Sequence, residues 1–238
     1  MRISPFRLKF YAALALSVCA ALAARGALAA NLNVQVDSLV NGGAIAPQYS
    51  FCVPAAQGHV TRGPDKNPRV SWSKGPDGTQ SYAVIVTDLS GPSVRTDMNQ
   101  EGKTVAADLP RLTSYHWVLI DIPANVTEIP EGADADGAVP HGKPQTPAKF
   151  GLRGLNVFTN VFAANPQMNG NYFGYDGPCP AFNDALAHDY RFRVYALNVP
   201  TLNLSGPFDG NAAISAMFGH ILAVGEVKGT YSLNPAVK

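Results

Sequence analysis

The sequence predicts a mainly β fold, a single domain with one or two peripheral helices. Three observations carry this expectation. Short apolar runs with a two-residue alternation recur, clusters of Gly, Pro, Asn and Asp separate them, and one late stretch alone has helical spacing.

The runs "RVSWS" (69–73), "SYAVIVTD" (81–88), "HWVLIDI" (116–122) and "YRFRVYALNV" (190–199) read as strands. Between the first two, "KGPDGTQ" (74–80) reads as a tight turn, because Pro presets one φ angle and Gly accepts a positive one. A helix is predicted from Asn211, where Ile214, Met217, Phe218, Ile221 and Leu222 recur at helical intervals. "EVKGTYSL" (226–233) then reads as a closing strand. Residues 129–176 are rich in Gly, Pro, Asn and Ala and hold no sustained period. That is long for a connection in a compact domain, so this segment is expected to wrap the surface or line a site.

Residues 1–29 have the pattern of a secretory leader. Arg2, Arg7 and Lys9 make a basic start, an apolar run covers 10–24, and "GALAA" supplies small residues, with cleavage expected after Ala29. The domain then spans 30–238, and the location is periplasmic or secreted. No later segment approaches a membrane-spanning length. The leader holds four basic residues and no acidic ones, so Lys+Arg falls from 18 to 14 against 17 Asp+Glu and the remainder carries −3. With no basic run, nucleic acid is not an expected partner. Cys19 leaves with the leader. Cys52 and Cys179, 127 positions apart, suggest one disulfide in an exported chain, although spacing alone leaves two free thiols open.

Residues two apart on a strand share a face. Tyr82, Val84, Val86 and Asp88 form one row, His116, Val118, Ile120 and Ile122 a second, and His188, Tyr190, Phe192 and Val194 a third. Each row ends in a polar side chain. Antiparallel pairing of 81–88 with 116–122 would bring Asp88 and His116 to one sheet edge. The third strand would add His188 and Tyr190, making a polar-lined pocket. Taken singly, each residue has a bland explanation: Asp88 as a turn former, the histidines as satisfied surface groups, Tyr190 as core with its hydroxyl at the rim.

At these residues the sequence resembles the phosphatidylethanolamine-binding protein family, in its bacterial Raf-kinase-inhibitor-protein-like branch. "NPRVSWSKGPDGTQSYAVIVTD", "DLSGP", "HWVLIDIP", "FGYDGPCP", "HDYRFRVYAL" and "GHILAVGEVKGTY" carry the likeness in order. The resemblance implies a β-sandwich-type core with a small pocket for phosphate-type anions at one end of its central sheet. It assigns pocket roles to Asp88, Pro92, His116, Gly177, Pro180, His188 and Tyr190. Two positions depart from the family pattern. Its second Asp is Ser90 here, and its Arg between His and Tyr is Asp189, so these two positions are expected to lie together.

An anion in such a pocket would take its donors from imidazole N–H, the Tyr190 hydroxyl and backbone N–H groups of the Gly177 loop, without Lys or Arg. Asp88 would accept from His116 or pair with a ligand ammonium. The leading expectation is therefore an exported binding protein for a small anionic ligand, phosphate or phosphoethanolamine-like, with no cofactor or metal. The alternative is an inhibitor or regulator of a protease or signalling protein, docking a protein partner around the pocket. Catalysis is disfavoured, since no Ser or Cys has an activated-nucleophile setting and no metal-ligand spacing occurs. His59, His141 and His220 read as structural or solvated, and whether the chain is a monomer or a homodimer stays open.

Overall fold

The computed structural model describes residues 30–237, so the leader expected over 1–29 lies outside them. In chain order the strands are β1 (Ala30–Asn31), β2 (Val34–Val36), β3 (Gly43–Ala44), β4 (Cys52–Pro54), β5 (Val60–Arg62), β6 (Val70–Trp72), β7 (Ser81–Pro92), β8 (Arg111–Pro123), β9 (Glu128–Ile129) and β10 (Leu152–Arg153). A short helix α1 (Phe158–Val161) precedes β11 (His188–Leu197), α2 (Gly210–Met217) and β12 (Ile221–Tyr231). A seven-stranded sheet runs in the order β1-β12-β11-β7-β8-β10, with β3 also on β12. A smaller sheet, β2-β6-β9, and the β4–β5 hairpin complete the β structure.

The large sheet is buried on both faces, which is why "YAVIV" in β7 is continuously apolar. One face carries Tyr82, Val84, Val86, Phe192 and Val194 into the principal core, where Val34, Val70, Trp72 and Ile129 of the small sheet meet them. This is a sandwich. The other face carries Ala83, Ile85, Val118, Ile120 and Leu197 into a second core under Ala213 and Met217 of α2. No helix among the described residues is long and apolar enough to cross a membrane.

The four predicted strands form, and the 74–80 turn closes with Thr79 N–H on the Pro76 carbonyl and Gly78 at φ +90°. The helix does not run as predicted. Asp209 caps its start by accepting from Ala212 N–H at 2.9 Å, but it ends at Met217. Phe218 is extended and 87% exposed, and Gly219 turns the chain at φ +81°. Ile221 and Leu222 therefore open β12, five residues before the predicted closing strand. Their helical spacing is a coincidence across a strand boundary.

Residues 129–176 do line a site, and buried ion pairs hold them there. Arg153 Nε donates to Asp134 Oδ1 at 2.6 Å, and Lys143 Nζ donates to Asp176 Oδ1 at 2.7 Å. Cys52 and Cys179 are joined in a disulfide, with Cα atoms 4.8 Å apart, tying β4 to the loop before β11. Closing so long a stretch removes much freedom from the unfolded chain. Cys52→Ser/Cys179→Ser is expected to lose about 2–4 kcal/mol in chemical denaturation, with wild type under reductant moving to the same midpoint.

Candidate functional site

β11 runs antiparallel to β7 with Tyr190 directly opposite Asp88. Paired residues share a face, so the phenol and the carboxylate emerge together, and His188 follows two residues back on the same side. β8 brings His116, but not by the simple alternation expected. Its pairing with β7 slips between Val86–Trp117 and Thr87–Tyr115, and again between Tyr82–Ile122 and Val84–Leu119. The predicted row of His116, Val118, Ile120 and Ile122 is thereby broken: Val118 and Ile120 enter the second core, while Trp117, Leu119 and Ile122 enter the principal one. The first bulge re-aims His116 onto the Tyr190 side, where the two rings meet edge to face with centroids 5.3 Å apart.

His188 sits between two carboxylates. Its Nδ1 lies 2.7 Å from Asp88 Oδ2 and its Nε2 lies 3.2 Å from Asp184 Oδ2. Both nitrogens face acceptors, so both donate and the ring is an imidazolium. Burial opposes that charge, but the hydrogen bonds to Asp184 and Asp88 outweigh it and push the pKa up to about 9. Burial would likewise raise Asp184, yet His188, Arg111 and the Leu186 N–H hold it down at about 2. Arg111 grips Asp184 with two nitrogens, at 2.7 and 3.0 Å. Asp88 accepts on its other oxygen as well, Oδ1 taking the Ser90 N–H at 2.7 Å.

The expected hydrogen bond from His116 to Asp88 is not made. His116 Nδ1 instead lies 2.9 Å from the Asp176 carbonyl and 3.1 Å from the Gly177 carbonyl. Carbonyls only accept, so Nδ1 carries the proton. Burial lowers the pKa of this ring, leaving it neutral with a lone pair on Nε2. Tyr190 is 1% exposed, and its buried hydroxyl has no hydrogen-bond partner among the described residues. Burial holds its pKa well above the usual value, so it remains a donor.

These groups form the polar end of a cavity of roughly 390 Å³, lined by Asp88, Pro92, His116, Pro180, His188 and Tyr190. Gly177, the seventh predicted residue, stands behind the wall. Its N–H is donated to Asp65 Oδ1 at 2.8 Å, so it is not offered to a ligand as expected. A Cβ there would lie 1.9 Å from the Tyr49 carbonyl oxygen, so Gly is required for close packing. Behind it, Asp65 is pushed up to about 8 by burial and by Asp176.

The opposite wall is aromatic. Phe51 stacks on Phe158 at 4.2 Å, and Phe162 stacks on Phe158 at 5.4 Å. Met98, Met168 and the disulfide continue this apolar side, and Arg62 and Arg95 stand at the mouth. The sequence-based reading missed both arginines. Arg95 lies three residues beyond Pro92, a nearness that signals it, whereas Arg62 reaches the cavity only through the β4–β5 hairpin. Ser90 and Asp189 do lie together: Ser90 Oγ accepts the Asp189 N–H at 2.9 Å, and the Asp189 carboxylate turns to Arg191.

Residues 35–232 match the family model described as phosphatidylethanolamine-binding protein. A UPF0098 protein of Pyrococcus horikoshii is 31% identical over 173 residues, 73% of this chain and 68% of that one. The UPF0098 protein YbcL of Escherichia coli is 27% identical over 203 residues, 84% of this chain and 85% of YbcL. The crystal structure of E. coli YbcL, described as a member of the mammalian PEBP family, superposes with a TM-score of 0.60 at 23% identity, covering 85% of this chain and 99% of that one. A putative PEBP homolog from Chlamydia trachomatis superposes with a TM-score of 0.56 at 24% identity, covering 85% and 97%. At these identities the structural likeness shows the fold.

Two outcomes follow from the geometry. Gly177→Ala is expected to destabilise by about 2–3 kcal/mol in chemical denaturation, since backbone must shift to admit the methyl group. For His188, the folded pKa lies above the ordinary 6.5, so its stabilisation is complete below that value and is lost as pH rises to about 9. Between pH ~6.5 and ~9 wild type should therefore lose on the order of 3 kcal/mol more than His188→Gln. Equal losses would contradict the clamp.

Proposed function

We propose that this chain, which belongs to the phosphatidylethanolamine-binding protein family, is an exported binding protein for small anionic, phosphate-bearing ligands. The observation that carries this reading is the buried Tyr190 hydroxyl, a donor with no protein partner, at the polar end of the cavity. A buried donor left unpaired costs free energy that a ligand oxygen recovers. His116 supports it from the adjacent strand. An anion beside its Nε2 favours the imidazolium, so binding would draw in a proton and turn a lone pair into a second donor.

Binding rather than catalysis is part of the proposal. His188 is committed at both nitrogens to carboxylates, and the two cysteines of the cavity wall are consumed in the disulfide. Export is supported by the leader pattern and by that disulfide, which belongs to an oxidising compartment. The alternative, a regulator docking a protein, draws on half-exposed Val161 in the lining of this cavity and Leu112 in that of an adjoining one. A stoichiometric partner that wild type captures and Leu112→Asp loses would favour it.

Calorimetric titration with sulfate, which does not itself titrate in this range, tests the main reading. Tyr190→Phe should weaken binding about tenfold or more, one hydrogen bond to a charged group. Affinity should fall as pH rises through the bound-state pKa of His116, with proton uptake in buffers of different ionisation enthalpy. Absence of sulfate and phosphate binding by wild type, or full affinity in Tyr190→Phe, would sink the proposal.

A further inference from the structure

The described residues include seven arginines, and five of them are paired with carboxylates: Arg69, Arg111, Arg153, Arg191 and Arg193. The two without a carboxylate partner, Arg62 and Arg95, both line the mouth of the same cavity. Arg62 Nη2 donates to the thioether of Met168 at 2.7 Å, a weak acceptor that an anionic oxygen would replace. Arg95 makes no side-chain hydrogen bond among the described residues, and it also borders an adjoining cavity of roughly 310 Å³.

At the deep end the charges are balanced. His188 and Arg111 are matched by Asp88 and Asp184, and both oxygens of Asp88 are already bonded. A ligand ammonium thus finds only carboxylates whose charge is already matched inside, and meets two guanidinium groups outside. A second acidic group meets those guanidinium groups as partners, in geometry suited to carboxylate or phosphate.

Resting on the anion-binding reading, we propose that Arg62 and Arg95 determine specificity. They select a ligand with a second acidic group at its outer end, a diacid, over a zwitterion such as phosphoethanolamine. One acid reaches the Tyr190–His116 end and the other is gripped at the mouth, with the body between them against the Phe51–Phe158 wall.

Phosphoglycolate and phosphoethanolamine make a matched test, because they differ chiefly in carrying a carboxylate or an ammonium beyond the phosphoester. Calorimetry on wild type should give phosphoglycolate about tenfold or more tighter binding. Arg62→Gln/Arg95→Gln should abolish that gap while inorganic phosphate changes by about threefold or less. Tyr190→Phe should weaken all three probes and keep the gap. The gap should also narrow as ionic strength rises from about 10 mM to about 1 M, since exposed charges are screened. Equal affinities in wild type, tighter binding of phosphoethanolamine, or a gap that survives in the double variant would overturn the specificity assignment and leave the anion site standing. Failure of all three probes to bind wild type would overturn both. Both arginines are exposed, and a thermal melt matching wild type verifies that the double variant is folded.

Discussion

The polar end of this molecule depends on one protonated imidazole held between two buried carboxylates. Without His188, Asp88 would be a buried carboxylate with no cation beside it, and Asp184 would be left to Arg111 alone. Removing one partner of a buried pair typically costs about 3–5 kcal/mol. With it, Asp88 is fixed against β11, Asp184 is fixed against Arg111, and the loop before β11 is tied to the sheet. The clamp also assigns the roles of its neighbours. Because His188 spends both nitrogens on structure, the polar groups left at the deep end of the cavity are the Tyr190 hydroxyl and the Nε2 lone pair of His116.

Those two residues differ from His188 in a physically consistent way. Tyr190 is buried by the strand pairing that sets it opposite Asp88, so its hydroxyl is stranded without a partner. His116 is turned toward it by a bulge and anchored from behind by carbonyls, which fixes the tautomer. Gly177 lies behind this anchor, its peptide shared between Asp65 and His116, so backbone packing at one glycine sets the direction of one imidazole. The deep end is charge-balanced and the mouth is cationic, so an anion would meet short-range hydrogen bonds within and longer-range attraction outside.

Much of this was legible in the chain. Two-residue alternation found three of the long strands and the short β6, and the rows through Asp88 and through His188–Tyr190 point where the alternation says. The row through His116 led to the right neighbour for the wrong reason. Simple parity would have buried His116 with Val118, whereas the bulge puts it with Trp117, and no local composition announces an extra residue in a strand. The helix read from Asn211 forms but was carried too far in a similar way, because apolar residues of α2 and β12 continue one spacing across a glycine turn.

The sequence by itself determined which faces are apolar, where polar side chains end those faces, and which chemical groups are on hand. These are local properties, set by the two-residue period of a strand and by side-chain type. Only the tertiary structure decided partnership: that Asp88 takes His188 and not His116, that Cys52 meets Cys179, and that Arg62 shares a cavity mouth with Arg95. Partnership rests on register, bulges and the closure of long segments, and on competition among buried groups for a limited set of donors and acceptors. That competition is resolved only when every element is in place.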